Sequence, residues 1–292
     1  IEFDKILTNI EGCKLIGVTN NSVIIRNNLQ GQNTKISLID GGDVLTTHQE
    51  FQNPFNRVYN LETDGNGADF HATHVTGTMC ATGIQPNARG VAQKAIVGSY
   101  NFNGNFISKL NNLGQNGYCA VNNSWGYITG WYLKRRTDTD NYYYGLTPTQ
   151  YASFAPNYRN ARTPNFGRYM PQTRSIDIVA YNNPNLCIVF AAGNDRDDNV
   201  IESGGKYYKY FGTSFQREVT NFYLKDGSWI NYQIADGYLP PQSDGNYNCC
   251  GFLSCAKNCM SIGSTNDTSI STRDSSSWGP TTDGRIKPDL VC

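Results

Sequence analysis

Two histidines, His71 and His74, stand three residues apart in the run F-H-A-T-H-V-T-G-T at 70–78. On a helix, positions i and i+3 share a face, so both imidazoles would project to the same side. Such a pair can include a general base, consist of two structural side chains, or belong to a metal site. Zinc is the weakest fit, because its helical histidine pair is usually spaced i, i+4 around a glutamate. Only His48 remains as a third imidazole, so the rest of the chain has to decide.

A candidate functional carboxylate, Asp40, ends the apolar run K-I-S-L-I at 35–39 and precedes two glycines. The run predicts a short buried strand that ends at the aspartate. In α/β folds, functional side chains stand at the carboxyl ends of buried strands. Out of context, an aspartate in this position is as often an ordinary turn residue.

Two later apolar runs also open into small and polar residues. The run A-V-N-N-S-W-G covers 120–126, and L-C-I-V-F-A-A-G-N-D covers 186–195. Small residues let a bound side chain lie against the backbone, and the amide of Asn194 can donate to a developing oxyanion. Taken singly, each run is more typical of a core strand that ends in a turn.

Strands and helices alternate along the first half of the chain. The predicted elements are strands at 23–25, 35–39 and 95–100, and helices at 71–82, 106–117 and 174–182. Alternation of this kind indicates a mainly parallel sheet with right-handed crossover connections.

Together these runs resemble the motifs of the subtilisin-like serine proteases, the subtilases. The histidine run is similar to H-G-T-H-V-x-G-T, with Ala72 where the family usually has glycine. The segment at Asp40 is similar to D-[ST]-G, with Gly41 in place of serine or threonine. The other two runs resemble the family segments V-I-N-N-S-W-G and A-A-G-N.

Two further runs near the end of the chain extend the resemblance. The run A-K-N-C-M-S-I-G-S at 256–264 is similar to the family strand A-K-N-V-I-T-V-G-A. The run S-S-W-G-P-T-T-D-G-R-I-K-P-D-L at 276–290 resembles S-S-R-G-P-T-x-D-G-R-I-K-P-D-I, and this match is long and specific. The resemblance therefore covers most of the chain from about residue 36 onward.

The resemblance implies a three-layer α/β/α fold with a mainly parallel central sheet that is incomplete at the C-terminus. It also implies a serine endopeptidase that hydrolyses peptide bonds of proteins with an Asp-His-Ser triad. His71 would be the general base, Asp40 would orient its imidazole, and Asn194 would donate to the oxyanion. His74 would be structural and buried, and no metal would take part in catalysis. The residues implied to bind the substrate are Ser124, Trp125, Gly126, Ala192 and Gly193.

The family's nucleophile lies in a G-T-S triplet downstream of the motif at 276–290, and the printed chain ends at Cys292. The triplet Gly212-Thr213-Ser214 is upstream and precedes F-Q-R-E, so we reject Ser214 as the nucleophile. We expect a companion C-terminal fragment to carry the serine, or a truncation to have removed it. The alternative is a catalytically silent, protease-like module that binds polypeptide or glycan through tyrosine-rich loops.

The resemblance implies one catalytic domain preceded by a short segment. Residues 1–34 form a lead-in segment, and 35–292 form a truncated subtilisin-like catalytic domain. Loop-rich insertions are predicted at about 127–175 and 196–254. The first of them is rich in tyrosine and could shape a substrate cleft or be a solvated loop region.

Composition excludes several classes of partner. The 24 basic and 24 acidic residues give no net charge, which argues against nucleic acid or an anionic membrane as the partner. No apolar run approaches the ~20 residues that cross a bilayer. The chain starts without signal-peptide features, and its polar composition, with only 16% charged residues, is typical of a secreted protein. The expected partner is a polypeptide substrate.

The nine cysteines leave at least one unpaired within the chain. Cys80, Cys187 and Cys259 fall in apolar runs and are predicted to be buried. The cluster of Cys249, Cys250 and Cys255 favours a local disulfide over a metal site or free thiols. No cofactor is required, although a structural calcium site is the alternative to a solvated turn at Asp195, Asp197 and Asp198.

Overall fold

The computed structural model of the chain describes 13, 16–18, 27–52, 54–63, 65–127, 166–196, 247–266 and 271–292, and the backbone of short strands within 131–144 and 207–231. The strand predicted at 23–25 and the rejected Gly212-Thr213-Ser214 triplet lie outside these residues.

The described strands, in chain order, are β1 (Lys35–Asp40), β2 (Val58–Asn60), β3 (Ile96–Asn101), β4 (Ala120–Asn123), β5 (Trp131–Arg135), β6 (Asp140–Tyr144), β7 (Cys187–Ala191), β8 (Tyr207–Phe211), β9 (Phe215–Glu218), β10 (Asn221–Tyr223), β11 (Trp229–Asn231), β12 (Met260–Gly263) and β13 (Leu290–Val291). The described α-helices are α1 (Phe70–Cys80), α2 (Phe106–Gln115) and α3 (Pro171–Asn182), and short 3₁₀ helices occur at Gln49–Phe51, Pro86–Ala88 and Phe252–Cys255.

Seven strands form one sheet in the order β13-β12-β7-β4-β1-β3-β2, and every described pairing within it is parallel. In this sheet, Ile39 of β1 lies opposite Tyr100 of β3 and Asn123 of β4. Because neighbouring parallel strands end at the same edge, the carboxyl ends of β1, β4 and β7 lie side by side. The predicted mainly parallel sheet is confirmed.

Helices cover both faces of the sheet. Successive side chains of β1 point to opposite faces, so neighbouring residues of this strand pack against different helices. Ile39 belongs to a buried cluster that includes Leu110 of α2 and Ile176 of α3. Leu38 belongs to a second cluster, which includes Ala72 and Cys80 of α1. The predicted three-layer α/β/α arrangement is therefore confirmed.

Two of the three described α-helices begin with a side-chain capping interaction. Asp69 accepts a hydrogen bond from the Ala72 N–H at 2.7 Å and so caps α1. Asn105 caps α2 in the same way, whereas α3 starts with a proline in its first turn. Among the described residues, no helix combines the length and apolar character that a bilayer span requires.

Helix α1 ends two residues before the predicted boundary, because Ala81 adopts an extended conformation with ψ 135°. The next amide, Thr82 N–H, donates to the carbonyl of Glu50 at 3.1 Å instead of continuing the helix. A contact made far along the chain therefore decides where this helix ends.

The two segments predicted as insertions contain strands that pair with one another. Strand β6, in the first segment, pairs in parallel with β8, in the second. Antiparallel partners β5 and β9 complete a four-stranded sheet, and β10 pairs with β11.

Two buried charged side chains hold the C-terminal end of α1. Arg57 is 1% exposed, and its guanidinium donates to the carbonyls of Ala95, Glu50 and Cys80 at 3.0–3.2 Å. The Glu50 carboxylate, in turn, accepts from the amides that follow α1. These donors are the N–H groups of Gly83, Ile84 and Gln85 and the hydroxyl of Thr82.

The environment of Glu50 predicts a pH-dependent contribution to stability. Burial alone would raise the pKa of Glu50, but the hydrogen bonds from Gln85, Gly83, Ile84 and Thr82 outweigh it and lower the pKa below its usual value. A carboxyl whose pKa is lower in the folded state stabilises the fold above its unfolded pKa of about 4.3. That contribution is lost as the pH falls through the lowered folded pKa.

Glu50→Gln should therefore reduce the free energy of unfolding by about 3 kcal/mol at pH 7, because an amide NH₂ would face N–H donors in a buried site. Urea unfolding at several pH values measures this, and the difference from wild type should shrink below about pH 4. Asp274→Asn, at an exposed carboxylate, is the matched control and should change stability by less than about 0.5 kcal/mol. A difference that stays constant with pH would contradict the assignment.

Candidate active site

Asp40 and His71 meet at the carboxyl edge of the sheet. Asp40 is the last residue of β1, and His71 lies in the first turn of α1. The Asp40 Oδ1 to His71 Nδ1 distance is 2.6 Å, a short hydrogen bond of the kind that a carboxylate acceptor makes. Asp40 is 2% exposed, whereas the His71 side chain is 56% exposed. The predicted acid and imidazole therefore form a hydrogen-bonded pair with the ring open to solvent.

The two oxygens of the Asp40 carboxylate have different surroundings. Oδ1 also accepts from the Gly41 N–H at 2.7 Å. Oδ2 is buried and has no hydrogen-bond partner in the described part of the chain. A buried carboxylate oxygen without a donor costs free energy. Gly41 stands where the family motif has serine or threonine, so this residue has no side-chain hydroxyl to offer.

His71 presents one free nitrogen to a reacting group. With Nδ1 bonded to Asp40, the proton on this ring is assigned to Nδ1, which leaves Nε2 with its lone pair. No described residue forms a hydrogen bond with Nε2. This tautomer is the one that a general base requires.

The second histidine, His74, differs from its prediction. It is exposed and not buried, and its ring stacks on that of Phe70 with centroids 6.2 Å apart. It lines a separate cavity of about 660 Å³ beside α1, together with His48. The Nδ1 of His48 already accepts from the Glu50 N–H at 3.3 Å.

One group of three potential metal ligands occurs among the described residues. Ligand atoms of Asp40, Asp69 and His71 all lie within 4.8 Å of one another. Asp69, however, caps α1 through Oδ1, and Asp40 is bonded to His71. The positive end of the α1 dipole also points at this site and disfavours a cation. The geometry fits a proton-transfer pair better than a metal centre.

A cavity of about 220 Å³ lies beyond the ends of β4 and β7 in the same edge of the sheet. One wall comes from 124–127 and the other from 191–195. Every residue predicted to bind substrate lines this cavity, and so does Asn194. These residues are Ser124, Trp125, Gly126, Ala192 and Gly193. Since β1 lies next to β4, the acid–imidazole pair and the cavity share one edge.

Part of this cavity was not predicted from the sequence. Gly251, Phe252, Leu253 and Ser254 also line it, although they fall in the segment predicted as an insertion. One residue separates them from the A-K-N motif at 256–258, and that position in the motif order is the signal that could have identified them.

Aromatic rings make one wall of the cavity rigid. Trp125 contacts Phe102 and Phe106 with ring centroids 5.3 and 5.2 Å apart. Tyr127 stacks on Phe252 with centroids 5.3 Å apart and the planes 9° from parallel. Interlocked rings hold their orientation, so this wall is preformed for an apolar group.

The cysteine predictions are partly wrong. All nine cysteines are free thiols, so the predicted disulfide within Cys249, Cys250 and Cys255 is not formed. The Sγ of Cys249 instead accepts from the Trp278 N–H at 3.3 Å. Burial raises the pKa of the Cys255 thiol to about 12, so it stays protonated.

Two of the three cysteines predicted to be buried are so. Cys80 and Cys259 are buried, and burial raises their pKa values to about 11 and about 12. Cys187 is exposed because it is the first residue of β7, where its side chain turns away from the core. Of the predicted calcium ligands, Asp197 and Asp198 lie outside the described residues.

Several solved protease structures have folds similar to that of this chain. The CspB protease of Clostridium perfringens superposes with a TM-score of 0.56 at 17% identity, over 98% of this chain and 78% of that one. The EpiP leader-peptide processing protease of Staphylococcus aureus gives a TM-score of 0.49 at 18% identity, over 93% and 55% of the two chains. The nisin leader peptidase NisP of Lactococcus lactis gives 0.47 at 17% identity, over 90% and 64%.

This chain thus spans less than two thirds of the EpiP and NisP chains. A search of curated protein sequences finds no match. The sequence model of the subtilase family, by contrast, matches residues 17–292, which is nearly the entire chain. With that match and the parallel sheet shared with the CspB protease, this protein belongs to the subtilase family of serine proteases.

Proposed function

We propose that this chain supplies the acid, the base and the oxyanion donor of a serine endopeptidase that hydrolyses peptide bonds in polypeptides. The observation that carries the proposal is the 2.6 Å hydrogen bond between buried Asp40 and the exposed His71 ring. No cofactor is needed, because an Asp-His-Ser triad uses only protein groups.

In this mechanism, His71 Nε2 accepts the proton of a serine hydroxyl as that oxygen attacks the peptide carbonyl. Asp40 keeps the other ring proton on Nδ1 and stabilises the imidazolium that forms. His71 then returns the proton to the leaving amine. The exposure of the ring supports this role, because the base must reach both the nucleophile and the leaving group.

The nucleophilic serine is proposed to come from a companion C-terminal segment, joined to this chain or cleaved from it. Within the described residues, no serine hydroxyl is bonded to His71 Nε2. Asn194, at the cavity, would donate its side-chain amide to the oxyanion as the carbonyl becomes tetrahedral.

The substrate is proposed to bind as an extended strand along Ser124–Gly126, with one side chain entering the 220 Å³ cavity. The ring wall formed by Trp125, Tyr127 and Phe252 suits an apolar or aromatic side chain of that size. We infer a secreted protein with the domain limits given above, because the composition is polar and carries little charge. A structural calcium ion near Asp195 remains part of this proposal.

Labelling with a fluorophosphonate, combined with intact mass, tests the function. In protein purified from its source, we expect one serine to be labelled, in a segment C-terminal to the motif at 276–290. The His71→Ala variant should lose the label, because the serine then lacks its base. No labelling of wild-type protein, together with the mass of this chain alone, would instead indicate the silent module that binds polypeptide or glycan.

A further inference from the structure

The loop that carries Asn194 is held by a serine from a distant part of the chain. Ser277 is fully buried and lies directly against this loop. Its backbone N–H donates to the Gly193 carbonyl at 3.0 Å, and its Oγ accepts from the Asp195 N–H at 3.0 Å. The two hydrogen bonds engage the residues immediately before and after Asn194.

The backbone at Gly193 permits this close contact. Its φ is +121°, a region that disfavours residues with a side chain. A Cβ at this position would lie 2.8 Å from Ser277 Oγ and 2.9 Å from Asp195 Oδ2. The turn therefore has room for the serine hydroxyl only because residue 193 is glycine.

Other contacts join the same two segments. The Arg196 N–H donates to the Ser275 carbonyl at 3.3 Å, and the Arg196 guanidinium lies 3.6 Å from the ring centroid of Trp278. On the other side, the Ala192 N–H donates to the Ile262 carbonyl at 2.8 Å. The loop is thus tethered at both ends, while Asn194 itself is exposed at the cavity.

We propose that Ser277 is a positioning residue that fixes the peptide groups on both sides of Asn194 and so aims its amide at the oxyanion. This inference rests on the proposed peptidase function. An oxyanion donor is effective only when it is preorganised, and misplacement by about 1 Å can cost about 10²-fold in rate. The buried hydroxyl of Ser277 provides that rigidity without touching the substrate.

The test compares Ser277→Ala and the nearly isosteric Ser277→Cys in the full protein with its nucleophile segment. Both remove a good hydrogen-bond acceptor from the Asp195 N–H, and the thiol keeps the site filled if alanine impairs folding. We expect kcat to fall about tenfold, with KM within about twofold of wild type. In an Asn194→Ala background, the same substitutions should change kcat by less than about twofold, because the group that they position is gone.

The matched control is Ser276→Ala. Ser276 is also buried, and its hydroxyl accepts from the Ser264 N–H at 2.8 Å, away from Asn194. It should lower stability as Ser277→Ala does and leave kcat unchanged. Equal losses of kcat in the two single variants, or an undiminished loss in the Asn194→Ala background, would overturn the inference.

Hydrogen–deuterium exchange provides a readout that does not depend on activity. The Asp195 amide should exchange at least tenfold faster in Ser277→Ala than in wild type, and at the wild-type rate in Ser276→Ala. Unchanged exchange in Ser277→Ala overturns the positioning role even in an active enzyme. The protein could also show accelerated exchange in Ser277→Ala but neither hydrolyse peptides nor react with fluorophosphonate. In that case the proposed peptidase function would be wrong, while the positioning of the loop by Ser277 would stand.

Discussion

His71→Ala should lower kcat by about 10⁶-fold in the complete enzyme, because the members of a triad act as a unit and its loss removes proton transfer altogether. KM should stay within a few fold, because His71 contributes to proton transfer more than to substrate binding. The residual rate should still exceed that in water, since the cavity and Asn194 continue to bind substrate and oxyanion. Steady-state hydrolysis of a fluorogenic peptide measures both constants.

His74→Ala is the control for this substitution. The two histidines lie on the same helix, both exposed, but only His71 contacts Asp40. His74→Ala loses a ring contact with Phe70 and should retain wild-type kcat. If the two variants lost activity equally, the assignment of His71 alone as the base would be wrong, and a metal site that uses both histidines would become the better explanation.

Asp40→Asn is expected to lower kcat by about 10⁴-fold at pH 7 without unfolding the protein. An asparagine amide at this position favours the tautomer with the proton on Nε2, and that nitrogen can then no longer accept the serine proton. The buried carboxylate already has one unpartnered oxygen, Oδ2. Neutralising it should therefore change stability by no more than about 1 kcal/mol, because the amide oxygen can still accept from the Gly41 N–H while the buried charge is removed.

Two measurements on Asp40→Asn are needed together, namely peptide hydrolysis and urea unfolding. Asp43→Asn serves as the control, since Asp43 accepts from the Thr63 hydroxyl outside the acid–imidazole pair and should keep full activity. A large loss of stability in Asp40→Asn would assign Asp40 a structural role in place of a catalytic one. Full activity in Asp40→Asn would show that Asp40 is not the acid of the triad.

Much of the fold could be predicted because its signals are local. The apolar run before Asp40, the alternation of strands and helices, and the residues that cap α1 and α2 each act within a few positions of the chain. The candidate site could be predicted for the same reason, since Asp40 and Asn194 follow recognisable strands and His71 lies in the first turn of a recognisable helix. Only the motif order linked them to one another.

Some surroundings of the site were not predictable because they depend on contacts between distant segments. Ser277 contacts the Asn194 loop through Asp195, which lies 82 positions earlier in the chain. No local sequence pattern encodes such a contact. The exposure of Cys187 and the unpaired state of the cysteine cluster likewise follow from how strands and loops meet. The early end of α1 depends on Glu50 in the same way.

By itself, therefore, the sequence determined which residues are candidates for the chemistry, which elements hold them and that the sheet is mainly parallel. Tertiary structure alone decided that His74 is exposed, that 251–254 line the cavity, and that Ser277 braces the Asn194 loop. The physical reason is that side-chain type and local periodicity act over a few residues, whereas the strand order β7-β4-β1 brings together segments separated by some 150 positions of chain.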